Sequence, residues 1–328
     1  MSRCARATAK APGCIWRASS ASWRGRNRAI SPDNSGEAAR QRRAGFLCLG
    51  VTALGWGLTW PILKAVIEEL PPLAARGLGG ALAALGLGLL ALALRWPLAV
   101  PRGERWPLMG FALLNVGAWM GFSTLGLLWL GAGEAALVAY TMPVWAAMLA
   151  WPLLGERPTA RRVLALVLGL AGVAVLMGAG AGQAAAADKT PGLLLLLAAA
   201  LSFALGAVMS KKRPLAMHPV AAVVWQVALG TVPILGLSLL LETPEWGRVG
   251  VLGWGGVLYM AAVPLSLCYL TWFGALRRLP ANTAAMGTLA TPLIGMLAST
   301  ALLGEPLGWR QAVAVALTLA GVVLALRG

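Results

Sequence analysis

The sequence predicts an all-α integral membrane protein of ten transmembrane helices, arranged as two five-helix inverted repeats. Three observations carry that expectation. Apolar stretches of about 20 residues recur from residue 44 onward, each long enough to cross a bilayer. A pattern of residues in the first half returns in the second at a nearly fixed distance. The basic residues gather on alternate loops.

The apolar stretches run over about 44–65, 73–94, 106–129, 134–154, 162–180, 191–210, 219–241, 249–273, 282–303 and 309–326. The chain is 59% hydrophobic and 12% charged, with mean hydropathy +0.76. A soluble chain carries roughly twice that charged fraction. The stretches also lack the polar outer face that a helix on a soluble core presents.

The repeat is read from Pro143 and Gly155-Glu156, which return 149 residues later as Pro292 and Gly304-Glu305. Ala135-Ala136, Leu153-Leu154, Arg161 and Ala171-Gly172-Val173 return as Ala284-Ala285, Leu302-Leu303, Arg310 and Ala320-Gly321-Val322. At the start of each half, Leu54-Gly55-Trp56 through Lys64 matches Leu201-Ser202-Phe203 through Lys211, and Pro72 matches Pro219, at offset 147. Five helices is an odd number, so the second half enters the membrane in the opposite sense. Residues 44–180 form the first repeat and 190–328 the second, joined by a Gly/Ala/Gln-rich loop.

The net charge of +16 invites a nucleic-acid reading, but the placement of the charges argues against it. With a cytoplasmic N-terminus, 22 of the 27 Lys and Arg fall on the cytoplasmic side, whereas Glu68, Glu69, Glu134, Asp188, Glu242, Glu245 and Glu305 fall outside. That bias sets both termini in the cytoplasm of a multi-pass protein of the inner, or plasma, membrane. Residues 1–43 are rich in Arg and Ser and have no apolar core at signal-peptide spacing. They are expected to form a disordered cytoplasmic tail that touches anionic lipid. An organellar transit peptide and a start site upstream of the true one are the alternatives.

With the repeat in hand, the sequence resembles the EamA-type permeases of the drug/metabolite transporter superfamily. The resemblance rests on Trp56-Gly57, Pro61 and Lys64, Pro72 and Arg76, Pro143, and Gly155-Glu156-Arg157-Pro158. In the second half it rests on Trp225-Gln226, Pro292 and Gly304-Glu305-Pro306. It covers residues 44–328. It implies a transporter of small metabolites such as amino acids or related compounds. It also implies a cavity between helices 1–4 and 6–9, with helices 5 and 10 as scaffold or homodimer surface. One departure stands out: Val223 occupies the position that matches Arg76.

The candidate cavity residues are Trp56, Arg76, Asn115, Trp119, Tyr140, Gln226, Tyr259 and Thr291. Asn115, Trp119 and Ser123 share a helix face, as do Tyr259 and Ser266. A buried amide such as Asn115 or Gln226 needs a partner, supplied either by a cavity or by a neighbouring helix. Lys64 and Arg76, near helix ends, either snorkel to the interface or form a cationic patch for an anion. Glu134 either serves its helix dipole or couples protons. Pro143 and Pro292 are expected mid-helix, breaking the hydrogen-bond ladder close to the site. Gly155 and Gly304 are expected as left-handed helix caps, with Glu156 and Glu305 facing the helices that follow. Trp106 and Trp309 read as interface anchors.

Other classes find little support. The cysteines Cys4, Cys14, Cys48 and Cys268 are scattered without metal-ligand spacing, and the single histidine, His218, reads as a solvated loop residue. No phosphate-binding loop, paired catalytic acids or nucleophile triad is present, so no cofactor, metal or enzymatic activity is expected. A drug-efflux protein is the near alternative. A non-transporting assembly partner and an intramembrane lipid enzyme are the alternatives from other classes. The expected partners are a small-molecule substrate and membrane lipid, with a homodimer allowed and no nucleic acid.

Overall fold

Long apolar runs without polar faces fold as helices that bury one another. The computed structural model describes residues 32–155, 159–176, 183–279, 283–284 and 287–327. Residues 1–31 of the expected tail, and Glu156, Arg157 and Pro158 of the first Gly-Glu loop, lie outside them. The helical body is Arg42–Gly328.

The helices are α1 (Pro32–Glu69), α2 (Pro72–Ala93), α3 (Arg105–Ala112), α4 (Trp119–Gly126), α5 (Ala132–Ala139), α6 (Met142–Leu154), α7 (Ala160–Leu176), α8 (Gln183–Lys212), α9 (Pro219–Leu241), α10 (Val251–Ala262), α11 (Cys268–Leu276), α12 (Ala290–Leu303) and α13 (Trp309–Arg327). Helix α1 therefore begins upstream of the expected boundary at residue 44. Among the described residues, seven helical stretches are long and apolar enough to cross a membrane. Three shorter apolar helices join them: Val163–Val175, Ala290–Leu303 and Trp309–Leu324.

Two of the long stretches contain a widened, π-helical turn. Leu113–Ala118 joins α3 to α4, and Val263–Leu267 joins α10 to α11. Pro264 accounts for the second, because it has no N–H for the Met260 carbonyl, and the Ser266 hydroxyl donates instead to the Ala261 carbonyl at 2.8 Å.

Pro143 and Pro292 do not sit mid-helix as expected. The chain breaks just before each, at Tyr140-Thr141 and at Thr288-Leu289. Each proline then lies in the first turn of the next helix, where a missing N–H is tolerated. Both breaks are tightened turns: Thr141 N–H donates to the Val138 carbonyl and Thr291 N–H to the Thr288 carbonyl. The left-handed caps occur as expected, with Gly155 at φ 75° and Gly304 at φ 68°.

Small residues let the helices approach closely. A β-carbon on Gly172 of α7 would meet Thr318 and the Ala314 carbonyl of α13, and one on Gly321 of α13 would meet the Ala165 carbonyl and Gly169 of α7. Partner numbers rise on one helix as they fall on the other, so α7 and α13 run antiparallel. Helices α2 and α9 do the same through Gly77 with Leu235 and Gly80 with Thr231. So do α5 and α12, through Gly133 with Met296 and Gly295 with Ala136.

One end of the body is tied by charged side chains. Glu242 accepts from the N–H groups of Leu73 and Ala74 at 2.9 and 2.8 Å, which caps α2. Glu305 accepts from Ala132 and Gly133 at 2.5 and 3.0 Å, which caps α5. Glu69 accepts from Gly250 and Gly253 at 2.8 and 3.1 Å, at the start of α10. Each carboxylate thus satisfies orphan donors and the positive end of a helix dipole. The expectation for Glu305 was wrong in its target: it serves α5 across the body, not the helix that follows it.

Candidate functional site

A cavity of about 420 Å³ lies inside the body, away from the tied end. Helix α1 gives it Trp56, Thr59 and Trp60, and α2 gives Arg76. The first π turn with α4 gives Asn115, Val116, Trp119 and Met120, and the break before α6 gives Tyr140 with Met142. From the second half come Phe203 of α8, Pro264 and Leu265 of the second π turn, Tyr269 and Trp272 of α11, and Thr288 of the second break. Both π turns and both breaks therefore reach the wall. Irregular backbone at membrane depth is tolerated where it lines a cavity or is buried in protein.

The wall is mainly aromatic. Trp56 meets Tyr269 edge-on and Trp272 at a tilt, with ring centroids 6.0 Å apart in each pair. Across the cavity, Trp119 packs on Phe203 at 5.2 Å. The Trp56 indole donates to the Pro264 carbonyl at 3.1 Å, so the second π turn holds that ring in place. The Thr59 hydroxyl is committed to the Gly55 carbonyl one turn back.

Arg76 is the exception on this wall. It is 7% exposed, and its Nη1 points at the Met260 sulfur at 3.4 Å. Its Nε–H has no hydrogen-bond partner. Among the described residues the ion pairs are Lys189–Glu134 and Arg248–Glu245, and neither involves it. Among the described residues, no Asp, Glu, His or Lys lines the cavity. A buried cation without a counter-charge costs about 2.5–3.5 kcal/mol on membrane-insertion scales. Arg76 therefore does not snorkel; it turns inward.

Lys64 and Glu134 lie elsewhere. The Lys64 ammonium donates to the carbonyls of Leu127 and Leu130 and closes the C-terminal end of α4. Glu134 caps its own helix through Gly131 N–H and pairs with Lys189 at 2.8 Å. His218 is half-buried rather than solvated, stacked on Trp96 at the start of α9. Trp106 and Trp309 are exposed at helix ends.

Of the eight residues picked from the sequence, Trp56, Arg76, Asn115, Trp119 and Tyr140 meet in the cavity wall. Gln226, Tyr259 and Thr291 do not. Gln226 stands behind Asn115 and accepts from its Nδ2 at 3.2 Å. Tyr259 donates to the Gly55 carbonyl at 2.8 Å and ties α10 to α1. Thr291 is fully buried beside Tyr140. The place of Tyr259 outside this wall has a physical cause. Regular helical spacing gave it a face shared with Ser266, but the π turn between them rotates the register, and α11 presents Tyr269 and Trp272 instead. Phe203 was missed although it occupies the repeat position of Trp56.

Asn115 shows how closely this wall is fitted. Its Oδ1 has no hydrogen-bond partner and sits against Gly206 of α8, in the space that a β-carbon would fill.

The fold and sequence have known counterparts. A solved crystal structure of a protein superposes with a TM-score of 0.61 at 22% identity, over 88% of this chain and 96% of that one, which speaks to the fold alone. An uncharacterized transporter of Bacillus subtilis, YvbV, is 32% identical over 265 residues, 80% of this chain and 84% of its own length. A protein of Salmonella typhimurium named a probable amino-acid metabolite efflux pump is 29% identical over 301 residues, 86% of this chain and 94% of its own length. The model of the EamA-like transporter family matches twice, over residues 43–178 and 190–327, once for each half. With a duplicated helical body and a cavity between its halves, the chain belongs to the EamA-like transporter family and is a membrane transporter.

Proposed function

We propose that the protein is a secondary permease that moves small organic metabolites, amino acids or related compounds, across the cytoplasmic membrane by alternating access. The observation that carries the reading is the aromatic, Arg76-bearing cavity, built from both halves where their backbones break. Ten spans in two inverted repeats account for its construction: the seven long stretches and three shorter helices fall on the ten apolar stretches of the sequence. The repeat partners α2 with α9 and α7 with α13 each pack antiparallel, as an inverted repeat requires. Both termini lie in the cytoplasm on the charge bias, which makes the tied end the outer one. Of the cavity wall, Trp60, Arg76 and Met120 are buried, whereas Met142, Trp272 and Thr288 are half-exposed. That gradient supports a state closed outside and opening inward. The relative named an amino-acid metabolite efflux pump favours the same cargo range.

The test is counterflow in liposomes. Purified protein should accumulate labelled amino acids or their derivatives against a preloaded unlabelled pool, saturably, and Trp119→Ala should abolish it. Folded wild-type protein that moves none of the compounds across a broad metabolite panel would remove the proposal.

A further inference from the structure

The charge inventory of the cavity is lopsided. Among the described residues, its wall holds one cation and no carboxylate. Arg76 is more than nine-tenths buried, its Nε–H is unused, and no acid among the described residues pairs with it. A guanidinium presents planar paired donors that match a carboxylate, and it stays charged in any environment. Tyr269 lies close enough to act on it electrostatically, and of the other polar groups in the wall three are committed elsewhere while the unpaired Asn115 Oδ1 is turned against α8. The Trp56 indole and the Thr59 hydroxyl donate to backbone carbonyls, Asn115 Nδ2 donates to Gln226, and Asn115 Oδ1 is wedged against Gly206. The remaining surface is the aromatic pair Trp119 with Phe203 and the triad Trp56, Tyr269 and Trp272.

We propose that the cavity selects an organic monoanion: a carboxylate on Arg76 with an aromatic or branched apolar body among the rings, and no ammonium group. In an α-amino acid the ammonium sits on the carbon next to the carboxylate. Docking that carboxylate on Arg76 brings a second cation within a few ångströms of the guanidinium, in a low-dielectric site with no acid to receive it. The aromatic faces attract cations, but they share the cavity with an unneutralised Arg76, whose repulsion opposes them. An anion alone neutralises the buried charge and leaves none behind. The inference rests on the cavity being the cargo site, and it narrows the cargo from amino acids at large to their deaminated, acidic relatives.

One carbon skeleton with four head groups tests it. Full-length protein in detergent is titrated with 3-phenylpropanoate, L-phenylalanine, 2-phenylethylamine and 3-phenylpropanol, reading affinity by calorimetry and thermal shift. The wild type should bind 3-phenylpropanoate at least tenfold more tightly than phenylalanine and the alcohol, and the amine least. Arg76→Gln should bring the acid down to the level of the alcohol without weakening the alcohol, and Arg76→Lys should keep the order of preference at lower affinity. Phenylalanine binding as tightly as the acid overturns the inference and leaves the permease standing. An acid preference that survives in folded Arg76→Gln overturns it as well. Absence of binding by all four compounds also overturns it, and liposome counterflow over the wider panel then decides the transport reading separately.

Discussion

The two halves share a backbone plan but not a chemistry. Each breaks its helices at matching places: π turns at Leu113–Ala118 and Val263–Leu267, and interruptions before Met142 and Ala290. The side chains at matching positions differ. Asn115 faces Pro264, Tyr140 faces Leu289, Trp56 faces Phe203, and Arg76 faces Val223 in the alignment of the repeats. The first half supplies the cation and the amide, and the second supplies mostly rings and apolar surface. Duplication accounts for the shared framework, and divergence of a few side chains puts the cation and the amide of the cavity on one side of it.

The largest effects should come from exchanging that asymmetry. Arg76→Leu removes a buried cation that has no counter-charge, so it should raise unfolding stability by about 2–3 kcal/mol while abolishing transport. Val223→Arg puts a cation among Val116, Met120 and Val227 and should lower stability by a similar amount. Melting of both variants in the same detergent checks the pair. A destabilised Arg76→Leu would mean that the guanidinium is a structural tie rather than a ligand.

The ties between halves come next. Glu305 and Glu242, from the second half, cap first-half helices, and Glu69, from the first, caps a second-half helix. Glu305→Ala leaves the N–H groups of Ala132 and Gly133 without their acceptor and should cost about 2 kcal/mol. Glu305→Gln, which keeps an oxygen, should lose about half of that. Equal losses in the two variants would assign the effect to charge and the α5 dipole rather than to the hydrogen bonds.

Much of this plan was legible in the sequence, and the reasons for success and failure differ by residue. The spans were visible because lipid demands long apolar runs, and the left-handed caps because Gly155 and Gly304 recur at matching ends. Arg76 was visible because charge near a span is rare, and of its two readings, snorkelling or a cationic site, the structure shows it turned inward. What periodicity missed was wherever the backbone leaves regular spacing. Tyr269 and Trp272 line the cavity just after the turn that holds Pro264 has widened, and a count in steps of 3.6 residues does not carry across such a turn. The target of Glu305 was invisible for another reason: the α5 N-terminus lies more than 170 residues away along the chain.

A smaller effect separates two glycines in opposite halves. Gly206 in α8 makes room for Asn115, whereas Gly88 in α2 has only Val224 nearby, at 3.9 Å from where a β-carbon would stand. Gly206→Ala should displace the Asn115 amide, cost about 1–3 kcal/mol and weaken ligand binding about tenfold. Gly88→Ala should be neutral or stabilise by up to about 1 kcal/mol, since alanine prefers the helix. Calorimetric affinity and melting, measured on both, test whether the wall is as tightly fitted as the contact implies.

The smallest expected change concerns Tyr259, which the sequence assigned to the cavity and the structure assigns to a helix–helix tie. Its hydroxyl is spent on the Gly55 carbonyl at 2.8 Å, and its ring packs against the core around Trp60 and Met260. Tyr259→Phe keeps the ring and removes one interhelical hydrogen bond, worth about 0.6 kcal/mol on average inside a membrane. Melting should fall slightly, and ligand affinity should stay within twofold of the wild type. Tyr269→Phe is the informative partner, because that ring stands edge-on to Trp56 in the wall itself. If Tyr259→Phe instead weakened the ligand tenfold while Tyr269→Phe did not, the cargo would sit on the α10 side of the second π turn. The aromatic wall drawn from α11 would then belong to a different step of the transport cycle.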